Sequence, residues 1–321
     1  MERSADLSLV RITNYKAVWS ILHKRHRATI PQLAREVGLS LPAVTRAVEY
    51  GLAKGLLHPV GLEGAERGRK AQVYELNASY MHFLLILADN GNLYYQVHDL
   101  MSSVLQSGAF PVEDATILSC MERIVSVCMK DDPLIAMLTV ALPGIAHGGR
   151  VIDSWAYPSL NGLSVTEHFS GRALRNILFD NDMHVAALAA RCYDDAAEGI
   201  TVVFSFGRQS YGAGVLVNGA VLQGDKGAAG EIGDLPLHAT QRGEIAFYAE
   251  KLQALIAILN PGRVILYAYD ADLTEEMLID AVSDKIRPYV KPSFVSGRNF
   301  IADCFTGLSL MCERELKSRL E

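Results

Sequence analysis

The sequence lacks most of the features that would place a protein outside the cell or in a membrane. Its five cysteines form no CxxC pair and are odd in number, which argues against a disulfide framework. No apolar run approaches the ~20 residues of a membrane-spanning helix. Segment 1–10 carries charges and has no apolar core of the signal-peptide type. We therefore expect a cytoplasmic protein with buried thiols, no membrane contact and no metal site.

Composition is ordinary for a globular protein, but charge is unevenly distributed. The 321 residues, 50% of them hydrophobic, suffice for two or three compact units. Residues 1–77 hold 12 Lys and Arg against 7 Asp and Glu, whereas the rest of the chain holds 18 against 29. A basic N-terminal part on an acidic body is expected of a DNA-binding protein, because phosphate contacts supply most of the non-specific affinity.

Segment 29–54 predicts a helix-turn-helix. The first helix would bury a face with helical spacing, made of Ile30, Leu33, Ala34 and Val37. Gly38 is suited to end this helix in a left-handed conformation, and Ser40 is suited to cap the next one. The second helix would bury a stripe made of Val44, Val48 and Leu52.

The outer face of the second helix begins with small, hydroxyl and arginine side chains, which can approach a DNA major groove closely. We expect the DNA contacts of this helix to be Ser40, Leu41, Ala43, Thr45 and Arg46. Strands at 56–60 and 72–76 would enclose a wing whose basic residues are Arg67, Arg69 and Lys70. A preceding helix would bury Tyr15, Val18, Trp19 and Leu22. The alternative is a winged helix that binds protein instead of DNA.

From residue 81 the pattern predicts an α/β body in which hairpin, strand, helix, strand and helix occur twice. Strands are expected at 83–88, 93–100, 134–142, 177–179, 200–206, 212–217, 221–222, 263–268 and 294–296. Helices are expected at 115–129, 165–178, 183–192, 244–259, 273–286 and 304–320. Such a body has two similar lobes with a ligand cleft between them. We expect a head at 1–77, one lobe at about 78–182 joined by the C-terminal helix, and the other at about 183–303.

Three stretches resemble the ROK family, named for repressors, open reading frames and sugar kinases. They are the Pro-Gly segment 141–163, the Asn-Asp pair and small-residue helix in 179–190, and the Gly-rich hairpin with its Ala-Gly-Glu signature in 212–234. The resemblance implies an actin-like, two-lobed sugar-kinase fold fused to a winged helix. It also implies a sugar-responsive repressor of carbohydrate-utilisation genes that binds double-stranded operator DNA as a homodimer or tetramer.

The sequence departs from this family at three sites. The first phosphate turn of the kinases is Asp-x-Gly-x-Thr, but residues 88–92 are Ala-Asp-Asn-Gly-Asn. The second turn, 207–212, is longer and bulkier than the family's Gly-Thr-Gly-x-Gly. Because backbone amides must approach phosphate closely there, we expect no nucleotide cofactor and no kinase activity. The family's cysteine cluster is missing, and Asp234 replaces its zinc-binding and sugar-binding His.

The resemblance implies a set of sugar contacts, namely Ser159, Asn161, Asn181, Asp182, Glu231 and Asp234. Ser159 stands where the family has an Asn, and Asn161 would compensate. Other roles remain open: Asp182 as a helix cap, Glu231 as an acid complementing a helix dipole, and Asn161 in a turn. Lys226 is either a solvated lysine or a contact for an anionic ligand.

Two other functions stay open on the sequence alone. One is a sugar kinase with a regulatory head. The other is a regulator that has lost its sugar response and answers to a protein partner through the altered loop 234–243.

Overall fold

The computed structural model describes residues 2–63, 70–193, 198–235 and 243–319, with side chains from residue 10 onward. Within these ranges a winged helix precedes two five-stranded α/β halves. The predicted fold class, a winged helix followed by a two-lobed α/β body, is therefore confirmed. No described helix combines the length and apolar character needed to cross a bilayer.

The head consists of three helices and a small sheet. Its elements are α1 (Glu2–Arg25), β1 (Arg27–Thr29), α2 (Ile30–Val37), α3 (Leu41–Ala53), β2 (Leu57–Glu63) and β3 (Ala71–Leu76). The strands are antiparallel in the order β1-β3-β2. The predicted core residues of α1 are fully buried: Tyr15, Val18, Trp19 and Leu22. Strand β1 was not predicted, since three residues carry no recognisable periodicity.

Local chemistry sets the helix-turn-helix. Thr29 and Gln32 form a capping box at the start of α2, and Gly38, with φ +72°, ends that helix in the left-handed conformation. Ser40 occupies the cap position of α3, but its side chain makes no capping hydrogen bond. The buried side of α3 also contains Ala47 and Gly51, which the sequence analysis did not include. Gly51 is required because a Cβ there would collide with the Tyr15 ring.

The first half of the body is built on a sheet with the order β10-β7-β4-β5-β6. Its strands are β4 (His82–Asp89), β5 (Asn92–His98), β6 (Val104–Pro111), β7 (Ile135–Leu142) and β10 (Asn176–Asn181). Between them lie α4 (Ile117–Asp131), the short hairpin β8 (Ile145–His147) and β9 (Arg150–Asp153), and α5 (Val165–His168). Every residue of β4 is buried, because α4 covers one face of the sheet and a C-terminal helix covers the other.

The second half repeats this arrangement with the order β13-β12-β11-β14-β15. Its strands are β11 (Ile200–Phe206), β12 (Gly212–Val217), β13 (Ala220–Val221), β14 (Arg263–Ala268) and β15 (Ser293–Ser296). Its outer face packs against α7 (Ile245–Leu259) and α8 (Glu275–Ser283). In both halves the first strand lies at the centre, antiparallel to the second and parallel to the fourth.

The two halves exchange helices. Helix α6 (Asp182–Ala189) follows the last strand of the first sheet but packs on β11 and β12 of the second. Helix α9 (Phe300–Ser318) follows the second sheet but packs on β4 and β7 of the first. The two helices also pack closely on each other, and a Cβ at Gly307 of α9 would collide with the Val185 carbonyl of α6. A displacement of one helix must therefore displace the other.

Two sequence predictions for the body were wrong. Helix 165–178 ends after four residues, because Gly171 takes a left-handed φ of +79° and residues 176–181 are drawn into parallel pairing with β7. Strand β6 was not predicted. As the edge strand of its sheet, it has mostly exposed side chains and therefore shows no apolar alternation.

Candidate ligand cavity and DNA-binding surface

A cavity of about 330 Å³ lies between the two sheets. It collects residues that are far apart in the sequence. The first half contributes Pro143, Gly144, Ile145, Asp153, Trp155, Asn181 and Asp182, together with Met183 of α6. The second half contributes Ser205, Ser210 to Ala213, and Gly230 to Asp234. Four of the six predicted ligand residues thus line one cavity: Asn181, Asp182, Glu231 and Asp234.

The start of α6 places Asp182 in this cavity. The Asn181 side-chain oxygen accepts hydrogen bonds from the Met183 and His184 amides at 2.7 and 3.0 Å, so Asn181 is the helix cap. The alternative reading of Asp182 as the cap is therefore wrong. Asp182 is 6% exposed, and its Oδ1 accepts a hydrogen bond from the Met183 amide at 2.9 Å. Its other carboxylate oxygen has no hydrogen-bond partner within the described parts of the chain.

Neighbouring carboxyl groups raise one another's pKa. Burial raises the pKa of Asp182 to about 7, and the charges of Asp89 and Glu231 act in the same direction. Burial raises the pKa of Asp89 to about 6, although a hydrogen bond from the Tyr269 hydroxyl lowers it. The pKa of Glu231 is raised by burial and by the charges of Asp234 and Asp153. Ionising all of these carboxyl groups at once therefore costs free energy as long as no cation is bound between them.

His184 joins α6 to the segment that carries Glu231. Its Nδ1 lies 2.8 Å from Asp180 Oδ1, and its Nε2 lies 3.3 Å from the Ala229 carbonyl oxygen. Burial lowers its pKa, but the Asp180 carboxylate and the Ala229 carbonyl outweigh that effect and raise it overall. With an acceptor at each ring nitrogen, the imidazolium form satisfies both contacts. His184 thereby links α6 to Ala229, two residues before Glu231.

Lys251 supports the other end of the same segment. Its side chain is buried, and Nζ donates to the Ile232 carbonyl at 2.6 Å. The ammonium group also lies 4.6 Å from the centre of the Phe247 ring and 5.6 Å from that of Tyr211. Lys251 therefore holds the turn between Glu231 and Asp234, while its own charge stays behind the cavity wall.

Ser159 and Asn161 lie outside the cavity lining. The Ser159 amide and hydroxyl both donate to Asp114, each at 2.9 Å, so the structure does not bring Ser159 to the predicted ligand. Asn161 accepts from the Ser154 amide and donates to Asp153 Oδ1 at 3.0 Å. Asn161 therefore acts indirectly, by orienting a carboxylate that does line the cavity.

Sequence reasoning missed Asp153, Trp155 and Tyr211 as cavity residues. Asp153 ends a four-residue strand, and Trp155 is an aromatic that stays 59% exposed at the cavity rim. Neither feature has a periodic signal. Lys226 is exposed and absent from the lining, in agreement with a solvated lysine.

Carboxylate side chains make the contacts in the two turns where the family's kinases would hold phosphates. In the segment 207–212 the Arg208 amide donates to Asp270 Oδ2 at 2.6 Å, and the Arg208 guanidinium pairs with Asp272. In the first turn, the Asp89 carboxylate accepts the Tyr269 hydroxyl at 3.1 Å. Within the described ranges no group of three His, Cys, Asp or Glu side chains is arranged to hold a metal ion.

The predicted DNA-binding surface is exposed on α3. Ser40 and Arg46 are exposed, and Leu41 is 52% exposed, whereas Ala43 and Thr45 are half-buried. The Thr45 hydroxyl donates to the Leu41 carbonyl at 2.9 Å. Lys70 is exposed just before β3. Arg67 and Arg69 lie outside the described residues.

The head contacts the body at α9. His23 of α1 lies 2.9 Å from the Glu313 carboxylate, which is buried and also 3.3 Å from Lys317. Burial raises the pKa of Glu313, but His23 and Lys317 lower it more, and the net shift is downward. At its other end α9 reaches the cavity wall, where the Cys304 thiol lies 3.7 Å from the Asp182 carbonyl oxygen. One helix thus touches both the cavity and the head.

Comparison with known proteins gives consistent matches. The model of the ROK family matches residues 97–247. The xylose repressor of Staphylococcus xylosus is 21% identical over 73% of this chain and 63% of its own length. The transcriptional dual regulator NagC of Escherichia coli K12 is 20% identical over 72% and 59%, respectively. The chain therefore spans about six-tenths of the length of these curated relatives.

Solved structures share the fold. A ROK family transcriptional regulator, described as a homolog of the E. coli MLC protein, superposes with a TM-score of 0.74 at 16% identity, covering 98% of both chains. Lmo2764 of Listeria monocytogenes, a putative N-acetylmannosamine kinase, superposes with a TM-score of 0.61 at 13% identity, covering 74% of this chain and all of that one. Regulators and kinases are thus built on the same body.

Proposed function

We propose that this chain, whose residues 97–247 match the ROK family model, is a DNA-binding transcriptional regulator, a repressor of carbohydrate-utilisation genes, controlled by a sugar or sugar derivative. The observation that carries the proposal is the connection of two surfaces through α9. At one end α9 contacts α1 of the head, which also carries the exposed face of α3, and at the other end Cys304 contacts Asp182 at the cavity. We assign residues 1–77 to operator binding and 78–321 to ligand binding.

The cavity chemistry supports a polyhydroxylated ligand. Carboxylates accept hydrogen bonds from pairs of adjacent hydroxyls, and Asp182, Glu231 and Asp234 present three of them around one space. Trp155 and Tyr211 supply aromatic surface, on which the apolar face of a sugar ring can lie. A volume of about 330 Å³ suits a monosaccharide better than a longer chain.

The packing of α6, α9 and α1 offers a route from the cavity to the head. A ligand that draws Glu231 towards Asp182 would shift α6, and α9 packs on α6 along its length. Since the Glu313 end of α9 holds α1, such a shift reaches the head. In a homodimer or tetramer it would change the spacing of two recognition helices on a two-fold operator. The coupling must be reciprocal, so operator DNA weakens ligand binding by the same factor.

The contacts in the phosphate turns support a protein that does not transfer phosphate. The Arg208 amide, which would face a nucleotide, donates to Asp270 instead. The purified protein should therefore show no sugar-dependent ATP consumption. ATP turnover that disappears in Asp182→Asn would establish the kinase in place of the sensor.

The test of DNA binding begins with selection of an operator from random duplexes by the purified full chain. Arg46→Ala should weaken binding to that operator by about 10- to 100-fold, since one base or phosphate contact by arginine is worth ~1–3 kcal/mol. Arg287→Ala, an exposed arginine on the second half, is the matched control and should bind normally. Failure to enrich any duplex, or equal binding by both variants, would overturn the proposed operator contact.

A further inference from the structure

We infer that the ligand of this cavity carries a positive charge, and that it is a small sugar or polyol bearing an ammonium group. The inference rests on the proposed sensing function and names the ligand class of the same cavity. It follows from the charge of the lining, from one buried carboxylate and from the places that the nearby cations occupy.

The described lining is acidic and contains no basic side chain. Four carboxyl groups face the cavity, those of Asp153, Asp182, Glu231 and Asp234. No Lys, Arg or His side chain belongs to the lining as far as the chain is described. None of the four carboxylates forms a salt bridge with a described residue either. A ligand entering this space therefore meets a net negative lining, which the charge of His184 behind the wall offsets in part at Asp182 and Glu231.

Among the four acids, Asp182 is the strongest indication of a cationic ligand. It is the most deeply buried of the four, with 6% exposure, it lines the cavity, and its second carboxylate oxygen has no hydrogen-bond partner in the described chain. A buried carboxylate is costly unless a hydrogen-bond donor or a cation compensates it. An ammonium group supplies both, since it carries three donors and a full charge.

The cations nearest to the lining are already engaged behind it. His184 faces Asp180 and the Ala229 carbonyl, and Lys251 faces the Ile232 carbonyl and the Phe247 ring. Other titratable groups around Asp182 are Asp89, Tyr157, Tyr269 and Cys304. All four are acids that are neutral when protonated and negative when ionised, so none of them offsets the cavity charge.

The same arrangement argues against anionic sugars and against neutral sugars as ligands. A sugar phosphate or uronic acid would place its anion against Glu231 and Asp182, while the exposed Lys226 lies outside the lining. A neutral sugar would satisfy acceptors but leave the carboxylates repelling one another. The aromatic face of Trp155 at the rim suits an organic cation further.

The experiment compares ligands that differ at one position. Isothermal titration of the full chain compares glucosamine, glucose and N-acetylglucosamine, and the matching sets built on mannose and galactose. Amino-deoxy polyols are further cationic ligands, and glucosamine 6-phosphate and glucuronate test anionic groups. We expect an amine to bind about 10- to 100-fold tighter than its hydroxyl and acetylated counterparts, as for other hydrogen bonds to charged groups. Titrations near pH 7 in two buffers of different ionisation enthalpy should show proton release, because the cation drives the cavity carboxyls to ionise.

Charge-removing variants provide the second arm. Glu231→Gln and Asp234→Asn keep the side-chain size and should reduce the preference for the amine over the hydroxyl analogue. Asp225→Asn, an exposed acid on the same loop outside the lining, should leave the preference unchanged. A loss of the preference in the Asp225 variant too would show a general surface-charge effect and overturn the inference.

The outcomes separate this inference from the proposed function. A neutral or anionic sugar that binds as tightly as its amine, without proton release, overturns the charge assignment and leaves the sugar sensor intact. Binding of no compound by a protein that still binds its operator overturns both, and points to control by a protein partner. Selective amine binding with proton release establishes the ligand class.

Discussion

The proposed DNA-binding face of α3 and the cavity between the sheets are organised in opposite ways. The α3 face is exposed, and its predicted contacts lie within seven consecutive residues, Ser40 to Arg46. Among the cavity carboxylates Asp182 is buried, Glu231 is half-buried, and Asp153 and Asp234 are exposed. They come from separate segments around 153, 182 and 231–234. The comparison teaches that a binding surface for a polyanion can be built locally, whereas a cavity for a small ligand needs the whole fold.

The two regions also differ in their effect on the stability of the folded protein before DNA or ligand is bound. An exposed arginine such as Arg46 is fully hydrated and costs the folded state little. Asp182 has lost its hydration, and its charge is opposed by Asp89 and Glu231. The apo cavity is therefore destabilising near neutral pH, and the following predictions test that contrast from the largest effect to the smallest.

The largest effect is expected for Asp182→Asn. Because the pKa of Asp182 is raised to about 7, the folded state binds more protons than the unfolded state between the ordinary carboxyl range and that pH. The free energy of unfolding must then fall as pH rises through this window. The variant should remove the part of that fall that is due to Asp182, while the raised pKa values of Asp89 and Glu231 leave a smaller fall. Above pH 7 the variant should be more stable than the wild type by up to about 4 kcal/mol.

Urea unfolding of both proteins at several pH values between 5 and 8 measures this difference. The matched control is Asp225→Asn, which should follow the wild-type profile because its carboxylate is exposed. Parallel profiles for wild type and Asp182→Asn would show that the buried carboxylate is compensated after all.

A smaller effect is expected where the two regions meet. Glu313→Gln removes the charge that holds His23 and Lys317, yet Glu313 touches neither the cavity nor the α3 face. Ligand affinity and operator affinity should each stay near the wild-type value when measured alone. The coupling between them, typically ~1–3 kcal/mol in such systems, should be largely lost.

Ligand titrations with and without operator DNA measure the coupling for Glu313→Gln. Asp280→Asn, on the exposed side of α8, should retain it. Full coupling in Glu313→Gln would mean that the signal reaches the head by another route than the α9–α1 contact.

The smallest effect is expected at Thr45 in the α3 face. Its hydroxyl already donates to the Leu41 carbonyl, so its only free capacity towards DNA is as an acceptor. Thr45→Val should weaken operator binding by about threefold, or ~0.5–1 kcal/mol, well below the loss in Arg46→Ala. Gel-shift titrations on the selected operator compare the two. A loss at Thr45 equal to that at Arg46 would show that the hydroxyl turns from the helix to the DNA on binding.

The sequence predicts the elements of this fold best where burial is uniform. Strands β11, β12 and β14 were predicted with the bounds observed, because each is an apolar run ended by turn residues. The helix expected at 165–178 fails because pairing of 176–181 with β7 overrides local propensity. Helical periodicity cannot report a partner strand whose paired residues lie 39 positions earlier, as Met137 does for Asn176.

The cavity was predictable only in part, and for a definite reason. Asn181, Asp182, Glu231 and Asp234 lie in segments whose residue types resemble a known family. Asp153 and Trp155 lie in and after the hairpin β8–β9, where position depends on contacts such as the hydrogen bond from Asn161. Ser159 has a suitable side chain at a suitable place in the sequence, but the structure turns it towards Asp114. A polar side chain can be recognised in a sequence, whereas its direction is set by tertiary packing.

The exchange of α6 and α9 between the halves has a consequence for the order in which the chain is made. Strand β4 leaves the ribosome early, yet one of its two faces packs against α9, which is synthesised after both sheets. The first sheet must therefore wait, with Phe83, Leu85 and Leu87 uncovered, while the second is translated. Nascent chains stalled before residue 300 should accordingly be the form of this protein that chaperones hold.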